Sequence, residues 1–431
     1  MTATARRARD DRRRDVLAAA ALLLVLAVLY LATASRGPAQ VNDTRAATVA
    51  SWSLGTRGDP ALPSAWPPSH NYWGTTAPDG RVFVNRFPGV AYWAAPAYAL
   101  ASLGDQRPAP AHPFLVDRRP AGRMAAITAA LAAVGLFAVL RTVTGRRPAL
   151  LGAGLFGLGT SLWSVAADAL WPHAPACLAL AGVLLGWRRQ RPVVAAAAAG
   201  VAVLVRPHLV VAIGVLALVA WRDRERRASA AMTAGAGLGL ALLSAYSWWA
   251  FGTLLPVAGY DTAGHLGGLV DHSPWQTLRA FALALVGTER GVLRYSPVVA
   301  GALVALLLAR RRVPGWALGS ALAGLVYLFV QVRAVGHRGG AHFFAYRVTL
   351  EPLLLATPAL VAASVAAVRE HRWVGPVLGL LGLASVGIHG FGAVVGGIDA
   401  TTTSRWEHID RSVREAFGDR ELGEVDLRPR P

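Results

Sequence analysis

Arg12-Arg13-Arg14-Asp15-Val16-Leu17-Ala18-Ala19-Ala20-Ala21-Leu22-Leu23-Leu24-Val25-Leu26-Ala27-Val28-Leu29-Tyr30-Leu31-Ala32-Thr33-Ala34 is the stretch from which the fold class is read. A block of arginines gives way at Val16 to an apolar run that holds no charge before Ala34. A helix needs about 20 such residues to cross roughly 30 Å of hydrocarbon. The run is too long for the apolar core of a secretory signal, and no Ala-x-Ala cleavage site follows it closely, so it reads as a permanent span. The same alternation of basic block and apolar run recurs through the 431 residues as far as Gly397. A soluble helical protein also buries apolar helices, but it has no reason to space arginine clusters between them so regularly.

The formal charge of +19 would suit a nucleic-acid binder, yet its placement argues otherwise. Arginines cluster at Arg6 to Arg14, Arg188 to Arg191, Arg222 to Arg227, Arg310 to Arg312 and Arg369 to Arg372, each between apolar runs. Blocks of this kind fix topology by the positive-inside rule. No nucleic-acid-binding motif accompanies them. All 43 basic residues are arginine, which we read as codon bias of a GC-rich bacterial genome. The single cysteine, Cys177, lies in an apolar run and excludes disulfides and thiolate metal clusters.

The sequence therefore predicts an all-α, polytopic membrane protein with about eleven transmembrane helices. Residues 1–15 form a cytoplasmic basic N-terminus and 16–34 the first transmembrane helix. Residues 35–120 form a long extracytoplasmic loop with juxtamembrane helices, 121–397 the transmembrane bundle, and 398–431 an extracytoplasmic tail. The spans of the bundle are read at 121–141, 148–167, 170–187, 192–205, 208–221, 228–250, 292–309, 314–335, 347–368 and 374–397. Proline breaks the pair 192–205 and 208–221 at Arg206-Pro207-His208. The apolar stretch Pro88 to Gly104 holds two prolines, and it is read as dipping into the membrane or packing on the bundle. In the tail, Ile409, Val413 and Phe417 are spaced for one short surface helix.

This threading loads one face, the extracytoplasmic one, with unusual residues. Asp43 falls in the first turn of an amphipathic surface helix that Asn42 could cap and Gly55 could end. An acid there serves the helix dipole, or it takes a proton from an acceptor hydroxyl. Asp59, Asp79, Arg81 and Arg86 follow in the same loop, and arginine suits bidentate phosphate contacts. Asp168 and His173 share a tight hairpin, where His173 is a proton carrier, a metal ligand or a packing residue. Arg206, His208, Asp261, His265, Asp271, His272, Glu289, Arg290, Arg294, His337, Arg338, His342, Tyr346 and Arg347 complete the face. Converging guanidinium groups would suit a phosphate leaving group, on which charge grows in the transition state. No histidine spacing of the H-x-x-x-H or H-E-x-x-H kind is present.

The ordered set of short motifs resembles the GT-C class of polytopic glycosyltransferases, which includes protein O-mannosyltransferases, the aminoarabinose transferase of lipid A and actinobacterial arabinofuranosyl- and mannosyltransferases. The motifs are Asp43 soon after the first span, the entry Gly80 to Gly89 into a Tyr/Trp helix, and the hairpin Leu170-Trp171-Pro172-His173-Ala174-Pro175. They continue with Arg206-Pro207, Phe251 to Tyr260, Glu289 to Pro297, and Tyr346-Arg347 at the start of a late span. The resemblance implies an inverting transferase that moves a sugar from a polyprenyl-phosphate donor to an extracytoplasmic glycan, lipid or protein acceptor of the cell envelope, acting in the plasma membrane. It implies Asp43 as general base and Arg86 as holder of the lipid phosphate, with Arg347, Arg290 and Arg294 assisting. Arg206, Asp168, His173 and Tyr346 join the substrate-binding set by their place on that face. It names no certain cofactor and leaves a divalent metal open, and the partners are donor, acceptor and membrane lipid, without nucleic acid. The pattern departs from its relatives at Asn85-Arg86-Phe87-Pro88, where the aminoarabinose transferase has a lysine before two prolines. A transporter or flippase of lipid-linked sugars would also need many spans, but it predicts internal repeats and charges near the midplane. A non-catalytic partner in an envelope-polysaccharide complex would keep the fold and lose the chemistry.

Overall fold

A computed structural model describes residues 3–34, 41–103, 110–260, 273–339 and 343–396 of the chain. The expected tail helix, and Asp261, His265, Asp271, His272 and His342, lie outside the described residues. In chain order the helices are α1 (Ala3–Thr33), α2 (Asn42–Arg57), α3 (Pro88–Ala91), α4 (Ala95–Ala101), α5 (Arg119–Leu140), α6 (Arg146–Leu158), α7 (His173–Arg188) and α8 (Pro192–Val205). They continue as α9 (Leu209–Arg222), α10 (Arg226–Phe251), α11 (Pro274–Val286), α12 (Val292–Tyr295), α13 (Pro297–Ala309), α14 (Gly315–Val335), α15 (Leu350–Glu370) and α16 (Val374–Phe391).

Six helices are long and apolar enough to cross a membrane: Asp10–Thr33, Arg119–Leu140, Arg226–Phe251, Gly315–Val335, Leu350–Glu370 and Val374–Val394. The other five expected spans coincide with α6, α7, α8, α9 and α13, which have only 13 to 16 residues. At about 1.5 Å per residue these reach roughly 20–24 Å, short of the hydrocarbon thickness. A π-helical turn at Leu162–Ala166 continues α6 toward the hairpin, and a second at Gly392–Gly396 continues α16.

Several connections at the arginine-rich end meet one another. Asp15 of α1 bonds Arg141 at 3.1 Å and Arg146 at 2.6 Å, across the turn between α5 and α6. Arg188, the last residue of α7, pairs with Glu225 after α9 at 3.0 Å, and Arg312 pairs with Glu370 at 2.6 Å. Helices α7, α8 and α10 pack side by side, α1 lies on α5, and α14 packs on α15.

Of three local features, only the second corrects an expectation. The stretch after Pro88 is two short helices, α3 and α4, which pack on α2 and α8 and are too short to span. Helix α2 begins after Val41, with no side-chain cap, and runs past Gly55 to Gly58, whose φ of 69° ends it. It is no surface helix, because Ala46 to Ser53 are all buried. Its residues are small, so neighbours close on every side, and a Cβ on Gly55 would lie 2.3 Å from the Ala95 carbonyl oxygen of α4. Lastly, the all-α fold carries one small addition. An antiparallel hairpin pairs β1 (Gly74–Thr76) with β2 (Val82–Val84).

Candidate active site

The hairpin and α2 build the site between them. Register pairs Gly74 with Val84, and Asn85 N–H donates to the Trp73 carbonyl at 2.8 Å, so Trp73 and Arg86 leave the hairpin side by side. Arg86 stacks its guanidinium over Trp73 at 4.2 Å and over Tyr260 at 4.6 Å. From there its Nη2 and Nε donate to Asp43 Oδ1 at 2.8 and 3.2 Å, and Trp73 Nε1 donates to the same oxygen at 3.0 Å. Arg347 approaches Oδ2 from the other side, with Nη1 at 3.5 Å.

Arg347 is itself held by what precedes α15. Its guanidinium lies over Trp171 at 4.5 Å and Phe343 at 5.1 Å, and its Nε donates to the Gly339 carbonyl. Arg290 donates to the carbonyls of Phe343 and Ala345 at 2.5 and 2.9 Å, fixing the backbone that carries Arg347. Asp43 thus sits between two cations walled by aromatic rings. Burial alone would raise its carboxyl above the usual range, but Arg347 and then Arg86 outweigh it and hold the group below that range. The Asp43 side chain keeps 35% of its surface exposed, against 11% for Arg86, so the acid is the accessible member.

A second charged cluster adjoins the first. Glu351, fully buried in the first turn of α15, accepts from Arg206 Nη1 at 2.7 Å and lies 2.9 Å from His173 Nδ1. A carboxylate only accepts, so that nitrogen of His173 carries its proton toward Glu351. The 2.9 Å approach of Arg206 Nη1 to the same nitrogen is then donor against donor and contributes no bond. Arg206 also reaches Gln331 Oε1 at 3.2 Å and His208 Nε2 at 3.2 Å, and His208 stacks on Tyr327. Arg206 and Arg347 lie within each other's electrostatic range.

The structure thus brings Asp43, Arg86 and Arg347 into contact, with Arg206 and His173 beside them. It places the other expected residues elsewhere. Arg290 is a backbone clamp behind Arg347, and Arg294 lies exposed on α12. Tyr346 turns inward, its hydroxyl bonded to Ser296 at 2.7 Å, and Ser296 in turn meets His389 at 2.9 Å and His389 meets Ser164 at 2.8 Å. Asp168 is buried at 5% exposure. Asp59 caps the Ala61 amide at 2.9 Å, and Asp79 pairs with its neighbour Arg81 at 2.7 Å. Glu351 and the walls Trp73 and Trp171 escaped the reading of the sequence. A divalent cation prefers several oxygen ligands, and among the described residues no group of three or more His, Cys, Asp or Glu side chains is arranged to hold one. One carboxylate between two guanidinium groups is a donor set for an anion, not for a cation.

The chain has six helices long and apolar enough to cross a membrane, as a multi-pass membrane protein does, and its fold is like that of a solved structure. The particular likeness is to the oligosaccharyltransferase of Archaeoglobus fulgidus. Its structure in complex with Zn and sulfate superposes with a TM-score of 0.52 at 14% identity, covering 89% of this chain and 53% of that one. The archaeal oligosaccharyltransferase AglB from the same organism, in complex with an inhibitory peptide and a dolichol-phosphate, gives 0.49 at 12% identity, covering 90% and 56%. The chain therefore spans about half the length of the solved structures it matches. No family model and no curated protein matches it.

Proposed function

We propose that the chain is an inverting glycosyltransferase of the plasma membrane, which transfers a sugar from a polyprenyl-phosphate donor to an acceptor hydroxyl on the extracytoplasmic face. The observation that carries this reading is the Asp43 carboxylate held between Arg86 and Arg347 at 2.8 and 3.5 Å. The acceptor oxygen bonds to the anomeric carbon while the bond from that carbon to the phosphate oxygen breaks. Asp43 takes the hydroxyl proton. The electron pair leaves on the phosphate, which gains negative charge where Arg86 and Arg347 stand. Donor binding and base release are then one event, because a phosphate that draws the guanidinium groups frees the carboxylate they restrain. The acceptor is a glycan, lipid or protein of the envelope.

Purified protein in vesicles, given polyprenyl-phosphate pentoses and hexoses with an extract of envelope acceptors, should release polyprenyl phosphate and label an acceptor. Asp43→Asn keeps the shape and removes the basic lone pair, so transfer should fall about 10²- to 10⁴-fold while donor binding persists. Asp59→Asn, in a loop-capping position, should change it little. A wild-type chain that moves intact donor across the bilayer without cleaving it would instead be a flippase.

A further inference from the structure

At the end of the bundle away from Asp43, α13 and α16 pack together but leave a gap. A cavity of about 230 Å³ opens between them, lined by Gly301, Val304, Ala305, Trp373, Val377 and Leu381, and its walls are almost wholly apolar. Gly301 forms its floor, where a Cβ would come within 2.8 Å of Leu381 Cδ1. Small-molecule sites usually enclose roughly 300–1,000 Å³ and present placed polar groups. This one is smaller and has almost none, which suits a hydrocarbon chain and no sugar.

Its rim is the opposite in character. Ala305, Ala309, Ala367 and Val374 pack together, so the ends of α13 and α15 and the start of α16 meet at one point. Those ends carry Arg310, Arg311, Arg312, Arg369 and Arg372. Arg312 pairs with Glu370, while the other four are exposed, and among the described residues no carboxylate pairs with them. Trp373, 53% exposed, stands on the rim as an interfacial aromatic does. The 21 residues of α15 separate this rim from Arg347 by about 30 Å, so it is a different place from the acid cluster.

We propose that this groove binds one acyl chain of an anionic phospholipid of the surrounding bilayer, with the headgroup phosphate on the arginines of the rim. Basic pockets between spans at the positive face take anionic headgroups by charge, and an apolar slot below them adds the chain. The four exposed arginines do more here than set topology.

The test uses the full chain, purified in detergent and stripped of lipid, with phosphatidylglycerol and phosphatidylcholine of identical chains as probes. Native mass spectrometry should show one phosphatidylglycerol retained and no phosphatidylcholine, and phosphatidylglycerol alone should raise the unfolding temperature. Arg310→Gln with Arg311→Gln, which leaves Arg312, Arg369 and Arg372 to hold topology, should weaken apparent affinity roughly thirtyfold. Gly301→Leu should abolish retention by filling the floor. Should that variant not fold, Val304→Trp at a position 47% exposed closes the same gap and should do the same. Equal retention of phosphatidylcholine, phosphatidylglycerol binding that survives these variants, or its displacement by equimolar polyprenyl phosphate would each overturn the assignment.

Discussion

Asp43 meets two arginines and a tryptophan before any substrate arrives, and this sets how its titration should behave. Its carboxyl is depressed in the free chain, so it stays charged through neutral pH and loses its charge only as pH falls through that low value. On the proposed function a donor phosphate engages Arg86 and Arg347, which lifts the restraint and raises the value. The acid limb of kcat, which reports the complex, should therefore lie at higher pH than that of kcat/KM, which reports the free enzyme. Coincident limbs in the two profiles would contradict a shared use of these arginines. Glu351 calls for a different measurement. Glu351→Gln leaves Arg206 buried without its counter-charge, and breaking such a pair typically costs about 3–5 kcal/mol. Thermal unfolding in detergent should show that loss, and Arg206→Met added to it should recover part. The signal for Glu351 was present in the sequence, four residues after Arg347. A carboxylate one turn inside an apolar span is rare enough in hydrocarbon to mark a site.

Helix α3 begins two residues after Arg86, and a glycine permits its packing. A Cβ on Gly89 would lie 2.5 Å from backbone atoms of Leu204 and Val205 at the end of α8. Backbone cannot step aside as a side chain can, so Gly89→Ala should cost about 1–3 kcal/mol. It should also raise the donor KM, because Arg86 stands three residues earlier. Unfolding temperature and steady-state kinetics on one preparation check both, and an unchanged KM in a destabilised protein would separate α3 from the site. At this scale the sequence was only partly legible. The break at Arg206-Pro207-His208 follows from proline chemistry and lies where expected, between α8 and α9. The burial of α2 was hidden, because Ala, Ser and Thr on every face give period 3.6 nothing to separate. The hairpin strands have three residues each, too few for alternation to show. Its turn was readable nonetheless, for Pro78-Asp79-Gly80 is a turn sequence and Gly80 has a φ of 83°.

Across the whole molecule the apolar runs between arginine blocks conveyed a mostly helical membrane protein. Loops that charge assigns to one side do meet, as the bonds of Asp15 to Arg141 and of Arg188 to Glu225 show. What charge could not convey was reach, because α6, α7, α8, α9 and α13 occupy expected places at less than spanning length. Orientation itself is open to a direct check. Cys177 is buried, so the native chain is almost silent to thiol reagents. Ser64→Cys, in the loop before the hairpin, should react with an impermeant maleimide on intact cells. Asp223→Cys, at the basic end beyond α9, should react only after lysis. The reverse pattern would turn the molecule over and place the acid cluster in the cytoplasm.

The short pair α8 and α9 has one more effect, on the lipid around it. Both helices run from the end marked by Arg188 and Glu225, and each has 14 residues, or about 21 Å of rise. Their joining turn therefore stops roughly 10 Å below the far edge of an average hydrocarbon layer. A bilayer meets such hydrophobic mismatch by thinning, and water and headgroups follow the depression inward. Arg206 and His208 occupy that turn, next to Arg347. Under the proposed function the bilayer surface is thus lowered toward Arg347 at this corner, and a lipid-borne donor need not be lifted out to reach it.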